Sequence, residues 1–144
     1  MIENYEVILR LVLALCLGSL LGIQRLYAGK TAGMRTFALI SLGSALFVII
    51  SEQIIGNLHF DVDPLRVAAS IISGVGFIGA GMIIFQKEQI ANLTTAAGVW
   101  VSAGIGMAVG FGLYTESIVV TFLVIFTFTA MWNIEQFIKN KFNK

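Results

Sequence analysis

The chain has 144 residues, of which 58% are hydrophobic and only 12% charged, with a net charge of +1. A soluble domain carries about 25% charged residues, so that class is excluded, and a near-neutral chain lacks the basic footprint of a nucleic-acid binder. One cysteine, Cys16, excludes an intrachain disulfide, and its place in an apolar block reads as a small core residue.

A membrane span needs roughly 20 mostly apolar residues, and five such blocks fill most of the chain. The expectation is therefore an all-α, polytopic membrane helix bundle in a single transmembrane domain, with spans at about 7–23, 36–50, 65–85, 93–113 and 118–134. The acidic start, Met1 to Glu6, argues against a cleaved signal peptide. Arg10 lies in the first turn of the first span, where a long side chain can snorkel to headgroups. The second span is short, or reaches toward Ile55. Asp63-Pro64 suits the start of the third, with Asp as cap and Pro at the first helical position. Asn92 is a candidate cap for the fourth, and Trp132 suits an interface at the end of the fifth.

Arg25, Lys30, Arg35, Lys87, Lys139, Lys141 and Lys144 fall on one side of a five-span arrangement. Arg10 and Arg66 fall on the other, beside Glu3, Glu6, Glu52, Asp61, Asp63 and Glu116. The excess of Lys and Arg predicts an outside N-terminus and a cytoplasmic C-terminus.

Lipid tails are as apolar as leucine, so close approach of small residues, rather than greasiness, pairs spans. Ala14, Gly18 and Gly22 form one stripe, continued by Arg25. Ala69, Ser73, Gly76 and Ala80 form a second, flanked by Ser70, Gly74 and Gly81. Ala103, Gly106 and Gly110 form a third. The expectation is that the first, third and fourth spans form the tight centre, with the fifth peripheral and its Phe122, Phe126 and Phe128 facing lipid. Gly74-Val75-Gly76-Phe77-Ile78-Gly79 matches a dinucleotide-binding fingerprint, but that motif needs a preceding strand and a soluble βαβ unit. Inside a span it reads as helix packing, or as a local break lining a polar site.

Three segments occur in order over about Gly18 to Gly112. Gly22-Ile23-Gln24-Arg25 with Ala32-Gly33-Met34-Arg35-Thr36 is the first. Asp63 to Ala69 with Ser73 to Gly81 is the second. Leu93-Thr94-Thr95-Ala96-Ala97 with Trp100 and Gly104-Ile105-Gly106 is the third. Together they resemble the conserved regions of the MgtC/SapB family of bacterial membrane proteins. The resemblance implies a multi-pass protein of the bacterial plasma (inner) membrane, linked to growth in low magnesium and, in pathogens, to virulence. It implies a non-enzymatic regulator that binds other membrane proteins, such as the membrane sector of ATP synthase or a transporter. The alternative is a small magnesium or cation transporter or channel subunit. Family members often carry acids flanking the family arginine, where this chain has Gln24 and Leu26, and a glutamine where it has Ser70. Many also add a cytoplasmic C-terminal domain.

Arg25 and Arg35 flank the first loop, as positive-side anchors or as an anion-binding corner for lipid phosphate or a partner's carboxylate. Lys30 and the lysine tail read as surface anchors. Asp63 and Arg66 share one turn, as a cap with a local ion pair. Asp61, Asp63 and Glu52 could in principle supply a magnesium site, though three loosely spaced acids are a weak signal for one, and His59 reads as an exposed histidine. Asn92, Thr94 and Thr95 open the fourth span, as helix glue or as a polar pocket with Ser73 and Gly74; Trp100 walls such a pocket or simply fills the core. Gly76 belongs to the same glycine face. No catalytic set and no metal or cofactor site is expected. The expected partners are lipid, other integral membrane proteins and a second copy docked through the small-residue faces, with no nucleic acid.

Overall fold

The computed structural model describes residues 3–30, 32–58, 63, 65–86 and 89–142. The helices are α1 (Asn4–Tyr27), α2 (Met34–Leu58), α3 (Leu65–Met82), α4 (Leu93–Gly110), α5 (Tyr114–Phe126) and α6 (Trp132–Phe142). A π-helical turn over Thr127–Met131 joins the last two into one rod. A small antiparallel hairpin, β1 (Ile84–Gln86) with β2 (Gln89–Ala91), links α3 to α4 in the register Ile84 to Ala91. Among the described residues, five helices are long and apolar enough to cross a membrane, the α5–α6 rod counted as one and α2 at full length rather than shortened. His59, Asp61, Pro64, Lys87 and Lys144 lie outside the described residues.

The helix ends follow from local chemistry. α1 and α4 each stop at a glycine with positive φ, Gly29 at +66° and Gly112 at +78°. At the first, Lys30 N–H bonds Arg25 O and Gly29 N–H bonds Leu26 O. At the second, Leu113 N–H bonds Ala108 O and Gly112 N–H bonds Val109 O. This paired pattern satisfies the last carbonyls and needs a left-handed residue that glycine adopts without strain. Asp63 Oδ1 accepts the Leu65 N–H at 2.9 Å, as its place before α3 leads one to expect.

The centre of the bundle differs from the sequence expectation. The α1 stripe is buried as predicted, with Ala14, Gly18, Gly22 and Arg25 inward, and so is the α4 stripe of Ala103, Gly106 and Gly110. Both pack on α2. A Cβ on Gly18 would sit 2.7 Å from Phe37 O, and one on Gly110 2.8 Å from Val48 Cβ. Gly22 presses on the backbone of Met34, and Gly106 on the carbonyl of Ser41. The Ser102 hydroxyl donates to Phe37 O at 2.9 Å across the same α2–α4 contact. α2 is therefore the middle helix, because its own small side chains, Ala38, Ser41 and Ala45, let two glycine faces close on it at once.

α3 is not central. Only Ile71, Val75 and Gly79 are buried on it, and Ala69, Ser70, Ser73, Gly74, Gly76 and Ala80 face outward. Phe122 and Phe126 face outward as expected, but Phe128 is buried in the core. It lies two residues beyond Phe126, roughly the opposite side of a helix, and the π turn sets it inward. Cys16 is exposed on the outer face of α1 instead of in the core.

Candidate functional site

α1 carries two buried arginines, 15 residues apart and so about 22 Å along the axis. Their surroundings differ sharply. Arg10 is 6% exposed and is turned into the bundle. Its Nη2 bonds Glu6 Oε1 at 2.6 Å, and its Nη1 bonds Glu52 Oε2 at 2.9 Å and Gly110 O at 2.6 Å. Its Nε bonds the Tyr114 hydroxyl at 3.3 Å. The cation thus ties α1, α2, α4 and α5 together and sits at the C-terminal, negative end of α4, where a positive charge is favoured. Glu52, considered above as a loose magnesium ligand, is committed to this ion pair.

Arg25 is 5% exposed at the other end. Its Nη2 donates to Thr95 Oγ1 at 2.7 Å, and its guanidinium lies over the Phe128 ring, 4.5 Å from the centroid. Its Nε has no partner, and no carboxylate among the described residues forms an ion pair with it. Beside it, Gln24 Nε2 donates to Phe128 O at 3.2 Å, a carbonyl of the π turn. Residue 24 here is a donor, a task that an ionised acid at that position cannot perform.

Arg25 lines a polar pocket of about 440 Å³ that also takes in Lys30, Asn92, Thr94 and Thr95. The rod from Thr127 to Lys139 closes the other wall with Thr127, Phe128, Met131, Trp132, Glu135, Gln136 and Lys139. The π turn builds this wall, because it aims Phe128 under Arg25 while α6 carries Glu135 and Lys139 over the opening. π turns inside α-helices recur at functional sites.

Four of the sequence-derived candidates, Arg25, Asn92, Thr94 and Thr95, meet in this pocket. The others lie elsewhere. Arg35 is exposed near the start of α2. Asp63 and Arg66 open α3 at the Arg10 end; the Arg66 N–H bonds Asp63 O, and their side chains form no ion pair. Ser73, Gly74 and Gly76 are on the outward face of α3, so they do not complete a pocket with Thr94 and Thr95. Trp100 is 50% exposed on α4, beyond Thr95, so it neither lines the pocket nor fills the core. Asn92 precedes α4 but does not cap it with its side chain. It adopts φ +65° to turn the chain out of β2, and its Nδ2 donates to Met82 O at 3.4 Å.

Sequence reasoning missed Phe128, Glu135, Trp132 and Lys139 as pocket residues. Only for Phe128 was there a usable signal, its phase relative to Phe122 and Phe126. Phe128→Leu keeps most of the buried volume and removes the ring beneath the cation. A desolvated cation–π contact contributes about 2 kcal/mol. Thermal unfolding of the detergent-purified variant is expected to show a loss of about that size, and Phe126→Leu, on the exposed face, almost none.

The MgtC family profile matches residues 11–137. The chain belongs to the MgtC family. Among relatives, it is 46% identical over 101 residues to Escherichia coli K12 YhiD, provisionally named a magnesium transporter, covering 67% of this chain and 47% of that protein. It is 41% identical over 112 residues to MgtC of Brucella abortus, covering 78% and 45%. It is 35% identical over 137 residues to SrpB of Synechococcus elongatus, covering 88% and 75%. The chain spans about half the length of the first two. No solved structure matches it. As a family member with five described helices long and apolar enough to span, it is a multi-pass membrane protein.

Proposed function

We propose that this MgtC-family chain is a non-enzymatic regulator of the bacterial inner membrane that works by docking on another integral membrane protein, in a setting of magnesium limitation. The observation that carries the docking reading is the outward face of α3. A Cβ added at Gly74, Gly76 or Gly81 would meet nothing within 4 Å, and Ser70, Ser73 and Ala80 are exposed beside them. Small residues facing lipid forfeit dispersion contacts that a closely approaching helix restores. An apolar groove of about 910 Å³ runs alongside, between α2 and α3, with Phe47, Ile54 and Ile78 among its walls. The name of YhiD supports the magnesium link. The excess of Lys and Arg at the Arg25 end supports placing that end in the cytoplasm.

The second reading is a small magnesium or cation transporter, favoured by the name of YhiD. Against it, the buried ionisable side chains of the described spans, Arg10 and Arg25, are both cations, whereas cation paths through membranes usually pass acids.

A photoreactive residue placed at Gly76 is expected to cross-link a different membrane protein in native membranes, and one placed at Phe122 only lipid. Adducts with a second copy alone would replace the regulator reading with a homodimer. Magnesium flux into liposomes holding the purified chain would favour the transporter.

A further inference from the structure

We propose that the Arg25 pocket is a binding site for a phosphate-bearing anion. The inference stands apart from the docking reading, which concerns the far face of α3.

The two buried arginines differ in how their charge is balanced. Removing a guanidinium from water is costly unless it is paired. Arg10 is paired with two carboxylates and rests at the negative end of α4. Arg25 is buried as deeply, yet among the described residues it holds only a neutral hydroxyl and an aromatic face. Moreover, the hydroxyl belongs to Thr95, in the first turn of α4. That places Arg25 at the positive end of the same helix, where a cation is disfavoured and an anion is attracted.

The rest of the pocket is built the same way. The first turn of α4 has no side-chain cap, because Asn92 turns its amide toward Met82. That uncapped turn, Leu93, Thr94 and Thr95, lines a cavity whose other walls include Arg25, Lys30 and Lys139 against one acid, Glu135. The Nε of Arg25, nine-tenths buried and without a partner, is the second and independent sign of a ligand. An anion seated there would satisfy the guanidinium and the helix terminus together.

Phosphate fits this donor set better than a lone carboxylate. Its oxygens point in several directions and can meet a guanidinium, helix N–H groups and rim ammonium groups at once. The cavity, at about 440 Å³, also has room for a headgroup around it. Two sources share this chemistry, the headgroup of an anionic phospholipid and free phosphate.

The test uses the purified chain in detergent, with native mass spectrometry for stoichiometry and thermal unfolding for affinity. The probes are dioleoyl-phosphatidylglycerol, dioleoyl-phosphatidylcholine, and sodium phosphate against sodium chloride of equal ionic strength. One retained phosphatidylglycerol per chain assigns the site to lipid. Stabilisation by inorganic phosphate assigns it to the free ion. Arg25→Gln is expected to weaken binding roughly tenfold or more, and Arg35→Gln, exposed and outside the pocket, to leave it unchanged. Should Arg25→Gln not fold, two rim variants carry the test, since both side chains are exposed. Lys139→Gln should weaken binding about fivefold, and Glu135→Gln should strengthen it by a similar factor. Equal retention of the two lipids with no phosphate effect would overturn the proposal. So would rim variants indistinguishable from the parent.

Discussion

Replacing Gly106 with alanine is expected to destabilise the bundle by roughly 3 kcal/mol or more, the upper end of the usual cost of overpacking. The added methyl would lie 2.7 Å from Ser41 C and 2.8 Å from Ser41 Cα, and closer still to Ser41 O. These are backbone atoms in the middle of α2, which cannot rotate away as a side-chain tip can. Relief requires α2 and α4 to separate, and that loosens the Ser102 to Phe37 O bond and the Gly110 contact with Val48 one turn along. Gly76→Ala is the matched control. Its methyl would meet nothing, and alanine is the better helix former by about 1 kcal/mol, so stability should hold or rise slightly. Thermal unfolding of both variants in one detergent measures the difference. Equal effects would mean that the α2–α4 contact is far looser than the glycines indicate.

Arg10→Leu should cost about 3–5 kcal/mol, the range for removing one member of a buried, hydrogen-bonded charge cluster. The loss has several parts. Gly110 O at the end of α4 loses a 2.6 Å donor, the Tyr114 hydroxyl loses its contact, and the attraction of the α4 terminus for a cation disappears. Glu52→Gln should cost far less, about 1 kcal/mol at most, because the Glu52 side chain is 43% exposed and water takes over its solvation. Arg10→Lys should fall between them, since an ammonium keeps the charge but cannot present the fork that reaches Glu6, Glu52 and Gly110 together. Chemical or thermal unfolding of the three variants gives the order. A neutral Arg10→Leu would sink this account and return Arg10 to the headgroup region, as its place in the first turn suggests.

Arg10 and Arg25 show how far reading the chain alone can go. Both were visible as charges at the two ends of an apolar block, and Arg25 fell on the buried small-residue stripe of α1. The Glu6 partner of Arg10 was legible at a spacing of four residues. Glu52, Gly110 and Tyr114 were not, since they are 42 to 104 residues away. The pocket was half legible. Arg25, Asn92, Thr94 and Thr95 belong to segments that carry the family resemblance, whereas Glu135 and Lys139 look like ordinary residues of a charged tail. The π turn that brings them over Arg25 leaves no mark in the apolar pattern.

What the chain determines by itself is whatever depends on neighbours along it. Hydropathy over about 20 residues sets the five spans, glycines with positive φ end α1 and α4, and helical phase selects one face of each rod. Only the packed structure decides which faces meet. A glycine stripe permits a close approach but does not name what approaches. The α4 stripe closes on α2, while the similar stripe on α3 is left facing outward. The physical reason is that close contact needs a complementary surface on the other helix. Ala38, Ser41 and Ala45 of α2 supply that surface for two helices at once.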